Sequence, residues 1–223
     1  MQHADIERPS PDLIRRARPL ATSTLANALD DLGLHDRVIA GIKGVASGFR
    51  FAGPAVTVKE ITGDYGAFAS ADFKVGQIID AAADGDVIVI DMGGARCSTF
   101  GGMASFAARH KGIAGLVVDG GVRDLEEIVE FGFPVFARHL VPTTGRTRLK
   151  VEAINVPVEI DGVGVAPGDL VVADGTGIVC LPAARAEEII ALAERLAAED
   201  AAALEDLKSG LSFAEAMARY KKI

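Results

Sequence analysis

Short apolar runs and amphipathic segments alternate in the middle of the chain. Residues 87–90 (VIVI) and 116–118 (LVV) are runs of the kind that fill strands buried on both faces. Each is followed by a helical pattern, at 101–110 and at 125–131, with apolar positions on one face. Strand and helix repeated in this order predict parallel strands joined by crossover helices, and hence an α/β fold.

The remaining segments predict elements on either side of this centre. In chain order they are 11–17 (helix), 22–32 (helix), 55–58 (strand), 73–83 (helix), 183–207 (helix) and 213–220 (helix). Residues 151–181 are strand-rich, with Asp-Gly or Pro-Gly turn signals at 161–162, 167–168 and 174–175. This layer is expected to cover the sheet.

The length of 223 residues is enough for one substantial core. We therefore expect a single domain over residues 1–223, with N-terminal helices in 1–35 and C-terminal helices in 183–223. The alanine-rich helix of the C-terminal part predicts packing against a close neighbour, such as another subunit.

Glycine-rich loops follow both central strands. Residues 91–94 (DMGG) follow the first strand, and Gly120-Gly121 are predicted to end the second, directly before Arg123 and Asp124. The carboxyl ends of parallel neighbours meet at one edge of a sheet, where open α/β sheets bind their ligands. Both loops are therefore expected at the same edge.

The helix after the first loop begins with glycines, at Gly101-Gly102-Met103-Ala104. Glycines leave the unpaired N–H groups of a helix start uncovered, so an anion such as a carboxylate can bind there. A Gly-Gly pair is also often only a turn. Neither of the glycine motifs that bind nucleotides, G-x-G-x-x-G and G-x-x-x-x-G-K-[ST], is present.

The Arg123-Asp124 pair has two interpretations. Asp124 stands where a helix N-cap would stand, and Arg123 beside it would then be a surface arginine. Alternatively, the arginine grips a carboxylate through two hydrogen bonds while the aspartate holds hydrated Mg²⁺ through its waters. A small 2-oxo acid carries the groups that such a divided site would bind.

The net charge and the terminal segment exclude several classes of function. A formal charge of −8 without a dense basic patch argues against nucleic-acid binding, which depends on positive charge. The first twenty residues have no apolar core like that of a signal peptide, and no run is long enough to cross a bilayer. A cytoplasmic protein that binds neither membranes nor nucleic acid is expected.

Four other side chains could carry chemistry. Cys97 and Cys180 are far apart in sequence and are expected to be reduced thiols. Lys59 follows a strand, but a Schiff base is not favoured because the adjacent Glu60 would keep the ammonium charged. His139 is expected to be structural or at the surface.

The segment GGMASFAARHKGIAGLVVDGGVRD resembles the hallmark of the regulator of ribonuclease activity A-like (RraA-like) family. The resemblance extends from about Thr22 to Leu181, and its most specific part is V-x-D-G-x-V-R-D. The family includes the divalent-metal 4-hydroxy-4-methyl-2-oxoglutarate and 4-carboxy-4-hydroxy-2-oxoadipate aldolases. It implies a swivelling β/β/α sandwich with a central sheet, flanking helices and a C-terminal helical extension.

The same resemblance implies the roles of individual residues. Gly101, Gly102, Met103 and Ala104 would bind substrate through backbone N–H groups, Arg123 would bind the 2-oxo acid, and Asp124 would hold Mg²⁺, Mn²⁺ or another divalent cation through waters. Family members assemble as homotrimers or homohexamers with sites between subunits. Glu199 or Asp200 would supply an acid from the neighbouring subunit.

The implied activity is that of a metal-dependent carbon–carbon lyase. It would cleave a 4-hydroxy-2-oxo acid such as 4-hydroxy-4-methyl-2-oxoglutarate to pyruvate, with oxaloacetate decarboxylation as a companion activity. The alternative is a non-catalytic binding protein like the ribonuclease-inhibiting branch. Family aldolases often have a G-D-N-like loop where this chain has Gly101-Gly102-Met103, which puts the identity of the substrate in doubt.

Overall fold

The computed structural model describes residues 2–3 and 6–220 of the chain. The strands in that part are β1 Gln2–His3, β2 Val38–Ile39, β3 Lys43–Gly44, β4 Phe51–Thr62, β5 Val87–Asp91, β6 Ser98–Phe100, β7 Gly115–Val122, β8 Val135–Leu140, β9 Leu149–Ile154, β10 Val158–Ile160, β11 Val163–Val165, β12 Leu170–Ala173 and β13 Ile178–Leu181. The α-helices are α1 Pro11–Ala17, α2 Thr22–Asp31, α3 Val75–Ala81, α4 Gly102–His110, α5 Leu125–Glu130, α6 Ala186–Lys208 and α7 Phe213–Arg219. Short 3₁₀ helices lie at Ser70–Asp72 and Ala183–Arg185.

A parallel group of strands forms the centre of the sheet. β4, β5, β7 and β8 pair in that order, all parallel, as the alternation of strand and helix predicts. β4 is longer than the predicted strand because its first four residues pair with β12 while the rest pairs with β5 and β9. The full path runs β2-β13-β12-β4-β5-β7-β8-β3.

The alternation of side chains along the central strands divides the core into two layers. Ile88 and Ile90 of β5 pack on the same face as Ile78 of α3 and Ile128 of α5. Val87 and Val89 face the opposite layer, which contains the β10–β11 hairpin and parts of β12 and β13. The strand-rich segment therefore covers one face of the sheet, as predicted, and its β12 and β13 also extend the sheet.

A third apolar cluster joins the two ends of the chain. Leu25 and Leu29 of α2 pack with Ile189, Ile190 and Ala193 of α6. The close neighbour of the alanine-rich helix is thus, over its first half, α2 of the same chain. None of the helices in the described part of the chain combines the length and the apolar character needed to cross a membrane.

The glycine pair in the second central strand does not end it, so that prediction was wrong. β7 continues through Gly120 and Gly121 to Val122. A Cβ atom on Gly121 would lie 2.6 Å from the carbonyl oxygen of Cys97, and one on Gly120 would lie 2.9 Å from Cβ of Met92. The glycines are present because neighbouring segments approach the strand closely, and they give no turn.

Candidate active site

The beginnings of α4 and α5 meet because β6 pairs with the end of β7. The N–H of Arg123 donates to the carbonyl oxygen of Phe100 over 3.1 Å. This contact sets Gly101 against the Arg123-Asp124 pair so closely that a Cβ atom on Gly101 would lie 3.0 Å from Nε of Arg123 and would overlap with Asp124. Glycine is required here by that approach.

Asp124 does not cap its own helix. It occupies the N-cap position of α5 in the left-handed conformation, with φ 59° and ψ 49°, and its side chain makes no capping hydrogen bond. Its Oδ2 instead accepts from the N–H of Gly102 over 3.1 Å and lies 3.4 Å from Nε of Arg123. The predicted N-cap position is thus confirmed, whereas the side chain does not cap α5. Such a strained backbone is often found at functional sites.

These residues line one cleft of about 520 Å³. The side chains of Arg123 and Asp124 are 45% and 38% exposed, so both are accessible to a ligand. Gly101, Met103 and Ala104 line the same cleft, while Gly102 contributes its N–H through Asp124. The structure thus brings together the residues that the sequence predicted for one site.

The helix start keeps free donors in this cleft. Gly101 is the N-cap of α4 and provides no side-chain cap. Among the described residues, no hydrogen bond from the N–H groups of Met103 and Ala104 is found. These donors and the positive end of the helix are suited to a carboxylate.

Sequence analysis missed a second carboxylate in the cleft, that of Glu127. It is exposed, and its Oε2 occupies the space that a side chain on Gly102 would fill. No hydrogen bond or ion pair of the Glu127 side chain is found in the described part of the chain. The signal was its spacing, since residues three apart on a helix lie on the same face and Asp124 precedes it by three.

Glu60 lies behind the wall of the cleft. It is 2% exposed, and its Oε1 accepts from Oγ1 of Thr99, a cleft residue, over 2.9 Å. Its Oε2 is buried without a partner among the described residues. Burial raises the pKa of this carboxyl to about 8, outweighing the Thr99 hydrogen bond, which lowers it.

A separate ion-pair network occupies the opposite face of the sheet edge. Nζ of Lys59 lies 2.7 Å from Asp91, and Arg138 bridges Asp119 and Asp161 at 2.5 and 2.6 Å. Lys59 is thus paired with an acid, although Asp91 and not the predicted Glu60 is its partner. The loop 91–94 borders this network. It lies at the expected edge of the sheet, but it does not line the cleft of Arg123.

The other candidate residues lie outside the cleft. Glu199 and Asp200 are exposed on α6 and do not line the cleft of their own chain. Cys97 and Cys180 are free and buried, as predicted. Nε2 of His139 lies 3.2 Å from the carbonyl oxygen of Gly94, as expected of a structural histidine.

Within the described residues, no group of three or more acids, histidines or cysteines could hold a metal ion. The cleft itself offers carboxylate oxygens from Asp124, with Glu127 on the same wall. Oxygen donors in small number suit Mg²⁺, which keeps several of its waters when bound to protein. The residues therefore fit a hydrated divalent cation and do not form a closed metal cage.

A larger depression of about 810 Å³ lies at the other end of the sheet. Four exposed arginines line it, namely Arg15, Arg18, Arg50 and Arg109. Among the described residues that line it, an acid, a base and the start of a helix do not occur together as they do around Arg123. The smaller cleft is therefore the candidate active site.

Similarity to known proteins shows the family of this chain. A sequence model of the RraA-like family (Aldolase/RraA) matches residues 22–180. A protein of Halalkalibacterium halodurans named "Putative 4-hydroxy-4-methyl-2-oxoglutarate aldolase" is 33% identical over 192 residues, 86% of each chain. The crystal structure of an uncharacterized protein from Pseudomonas syringae pv. tomato matches with a TM-score of 0.87 at 29% identity and covers 98% of both chains.

A further relative of known structure is RraAS2 of Streptomyces coelicolor, described as an unusual member of the RNase ES inhibitor RraA protein family. It matches with a TM-score of 0.77 at 29% identity, over 93% of this chain and 100% of the other. The fold and the cleft thus define an α/β protein with a site at a sheet edge. The chain belongs to the RraA-like family, and the predicted fold class is confirmed.

Proposed function

We propose that this protein is a divalent-metal-dependent aldolase that cleaves a 4-hydroxy-2-oxo acid to pyruvate, with oxaloacetate decarboxylation as a companion activity. The reference substrate is 4-hydroxy-4-methyl-2-oxoglutarate, for which several relatives are named. The observation that carries the proposal is the convergence of Arg123, Asp124 and the open start of α4 in one cleft.

Arg123 and the helix start bind the acid end of the substrate. A guanidinium group with an exposed side chain can donate two parallel hydrogen bonds to a carboxylate. The N–H groups of Met103 and Ala104, which make no hydrogen bond among the described residues, donate to the same carboxylate. Together these groups hold the 2-oxo acid in one orientation.

Asp124 would hold the cation through waters, and its bond to the N–H of Gly102 fixes the carboxylate. Mg²⁺ or Mn²⁺, when bound, supplies Lewis-acid stabilisation of the negative charge that develops on the 2-oxo oxygen as the carbon–carbon bond breaks. Nε of Arg123 lies 3.4 Å from the Asp124 carboxylate, so the anion-binding and the cation-binding group are adjacent.

A neighbouring subunit would complete the site. We propose a homotrimer or homohexamer in which Glu199 or Asp200 reaches the cleft of the next chain and moves protons there. Both residues are exposed on α6 in the described part of the chain, so they are accessible to another subunit.

Pyruvate release tests this proposal. Purified protein is given oxaloacetate and 4-hydroxy-4-methyl-2-oxoglutarate with Mg²⁺ or Mn²⁺, and pyruvate is followed with and without a chelator. Release that needs the metal is expected from both compounds. Absence of release from both would favour a non-catalytic regulator, and release unaffected by the chelator would refute the metal dependence.

A further inference from the structure

We propose that the cleft selects a 4-hydroxy-2-oxo acid whose distal half is apolar and uncharged, and that Glu127 is the residue that disfavours a second carboxylate. This inference rests on the proposed aldolase activity and specifies its substrate class. Four features of the cleft support it: its charges, the seating of Glu127, its apolar wall and the sequence at Gly102.

The cleft has one positive charge and two negative ones. Arg123 is the only cation among the described residues that line it, and Asp124 and Glu127 are the acids. The acid end of the substrate uses Arg123 and the helix start. A second carboxylate at the distal end, as in 4-hydroxy-4-methyl-2-oxoglutarate, would find no cation on this chain.

The Glu127 carboxylate adds a second negative charge to the cleft. Its Oε2 lies over Gly102, in the first turn of α4. Two like charges about 4 Å apart in a partly solvated cleft repel enough to weaken binding on the order of tenfold. The side chain has no cation of its own among the described ion pairs to offset that repulsion.

The rest of the wall favours hydrocarbon. Phe73, Val75, Ile79 and Phe100 line the cleft, and Met103, 88% exposed, stands at the same wall. Each methylene group that moves from water to such a surface strengthens binding about fourfold. An alkyl group beyond the fourth carbon would therefore gain contacts that a carboxylate would forfeit.

Gly102 belongs to the same arrangement. A side chain at this position would overlap with the Glu127 carboxylate, so the glycine allows the acid to occupy the cleft. The sequence has Gly101-Gly102-Met103 in place of a G-D-N-like loop, and in the structure the Glu127 carboxylate lies beside this segment. The Glu127 side chain occupies the position that a side chain on Gly102 would take.

The experiment compares two substrates that share the pyruvoyl half. One is 4-hydroxy-4-methyl-2-oxoglutarate, and the other is 4-hydroxy-4-methyl-2-oxohexanoate, in which an ethyl group replaces the distal carboxylate. In both, the C3–C4 bond breaks and its electron pair goes to C3, the C4 hydroxyl loses its proton as the ketone forms, and one proton returns to C3. No other reactant is consumed.

Intrinsic reactivities of the two compounds differ, so the diagnostic is how the ratio of their kcat/KM values changes between variants. Glu127→Gln is expected to shift this ratio about tenfold toward the dicarboxylate, and Glu127→Lys further in the same direction. Glu126→Gln is the matched control. It removes the same charge one position earlier in α5, where Glu126 does not line the cleft but borders a neighbouring depression beside Arg123 and Asp124, and it should keep the wild-type ratio.

The possible outcomes separate the two proposals. Cleavage of both compounds with a ratio that is the same in wild type, Glu127→Gln and Glu127→Lys would overturn the role of Glu127 while the aldolase stands. A shift of the ratio toward the monocarboxylate in Glu127→Gln would overturn the substrate class in the same way. Failure of the wild type to cleave either compound or to decarboxylate oxaloacetate would overturn both.

Discussion

The side chains at the cleft are positioned by contacts between segments that are distant in sequence. A residue whose role depends on such a contact is harder to predict from the sequence than one whose role follows from its own segment. Arg123 and Asp124 were found from the sequence because they follow a buried strand at a sheet edge. Glu127 was not, since its role depends on the missing side chain of Gly102, which lies far away in sequence. The left-handed backbone of Asp124 was equally hidden.

Arg123 is predicted to act mainly in binding. Arg123→Lys keeps the charge but loses the planar fork, so the KM for oxaloacetate should rise roughly 10- to 100-fold while kcat falls less. Steady-state kinetics with saturating Mg²⁺ measure this split. A KM equal to that of the wild type would remove Arg123 from the binding of the substrate carboxylate.

Glu60 makes stability depend on pH. Its pKa of about 8 in the folded protein lies above the ordinary value of 4.5, so the folded state holds this proton more tightly than the unfolded chain. The resulting stabilisation is fully present below about pH 4.5 and is lost as the pH rises to about 8, at a cost on the order of 4 kcal/mol.

Glu60→Gln keeps the shape of the neutral acid and cannot ionise. Urea unfolding at about pH 5 and pH 9 should therefore show a larger loss of stability in the wild type than in this variant. The Thr99 hydrogen bond can persist with the amide oxygen as acceptor. Equal losses in the two proteins would show that Glu60 does not carry the effect.

Among the elements, β7 has the greatest influence on the site. Periodicity predicted the central helices and strands well, because their apolar faces are buried in the core that the pattern implies. The prediction failed at Gly120-Gly121 because a glycine pair is typical of a turn. Here the two glycines instead allow Met92 and the Cys97 backbone to lie close to the strand. That close approach holds β6, and with it the start of α4, beside Arg123.

Gly121→Ala is predicted to destabilise the protein by about 1–3 kcal/mol, because its Cβ would press on backbone that cannot rotate away. Gly164→Ala is the control. It also lies within a strand, but nothing lies within 4 Å of its Cβ position, so a change below about 0.5 kcal/mol is expected. Urea unfolding compares the two, and equal losses of stability would contradict the packing argument.

At the scale of the whole molecule, the described chain has a complete fold but only part of the proposed site. The sequence indicated the class of fold because strand and helix alternate, and the topology follows from parallel pairing. A contribution from Glu199 or Asp200 depends on a second chain, because neither residue lines the cleft of its own chain. The assembly therefore stays a prediction.

Shared sites predict that two inactive variants restore each other. Chains carrying Asp124→Asn and chains carrying both Glu199→Gln and Asp200→Asn should each lose activity, and mixed oligomers should recover part of it. Light scattering should give the mass of three or six chains of 23.2 kDa. A mass of one chain, or full activity in the double variant, would contradict a site shared through these residues.

The central claim is that Arg123, Asp124 and the start of α4 bind pyruvate with a divalent cation and ease proton loss from its methyl group. Proton NMR in D₂O measures this directly as the decay of the pyruvate methyl signal. The decay should need protein and Mg²⁺, stop with a chelator, and slow at least 100-fold in Asp124→Asn but not in Glu126→Gln. Exchange at the wild-type rate in Asp124→Asn, or no metal-dependent exchange in the wild type, would contradict the account.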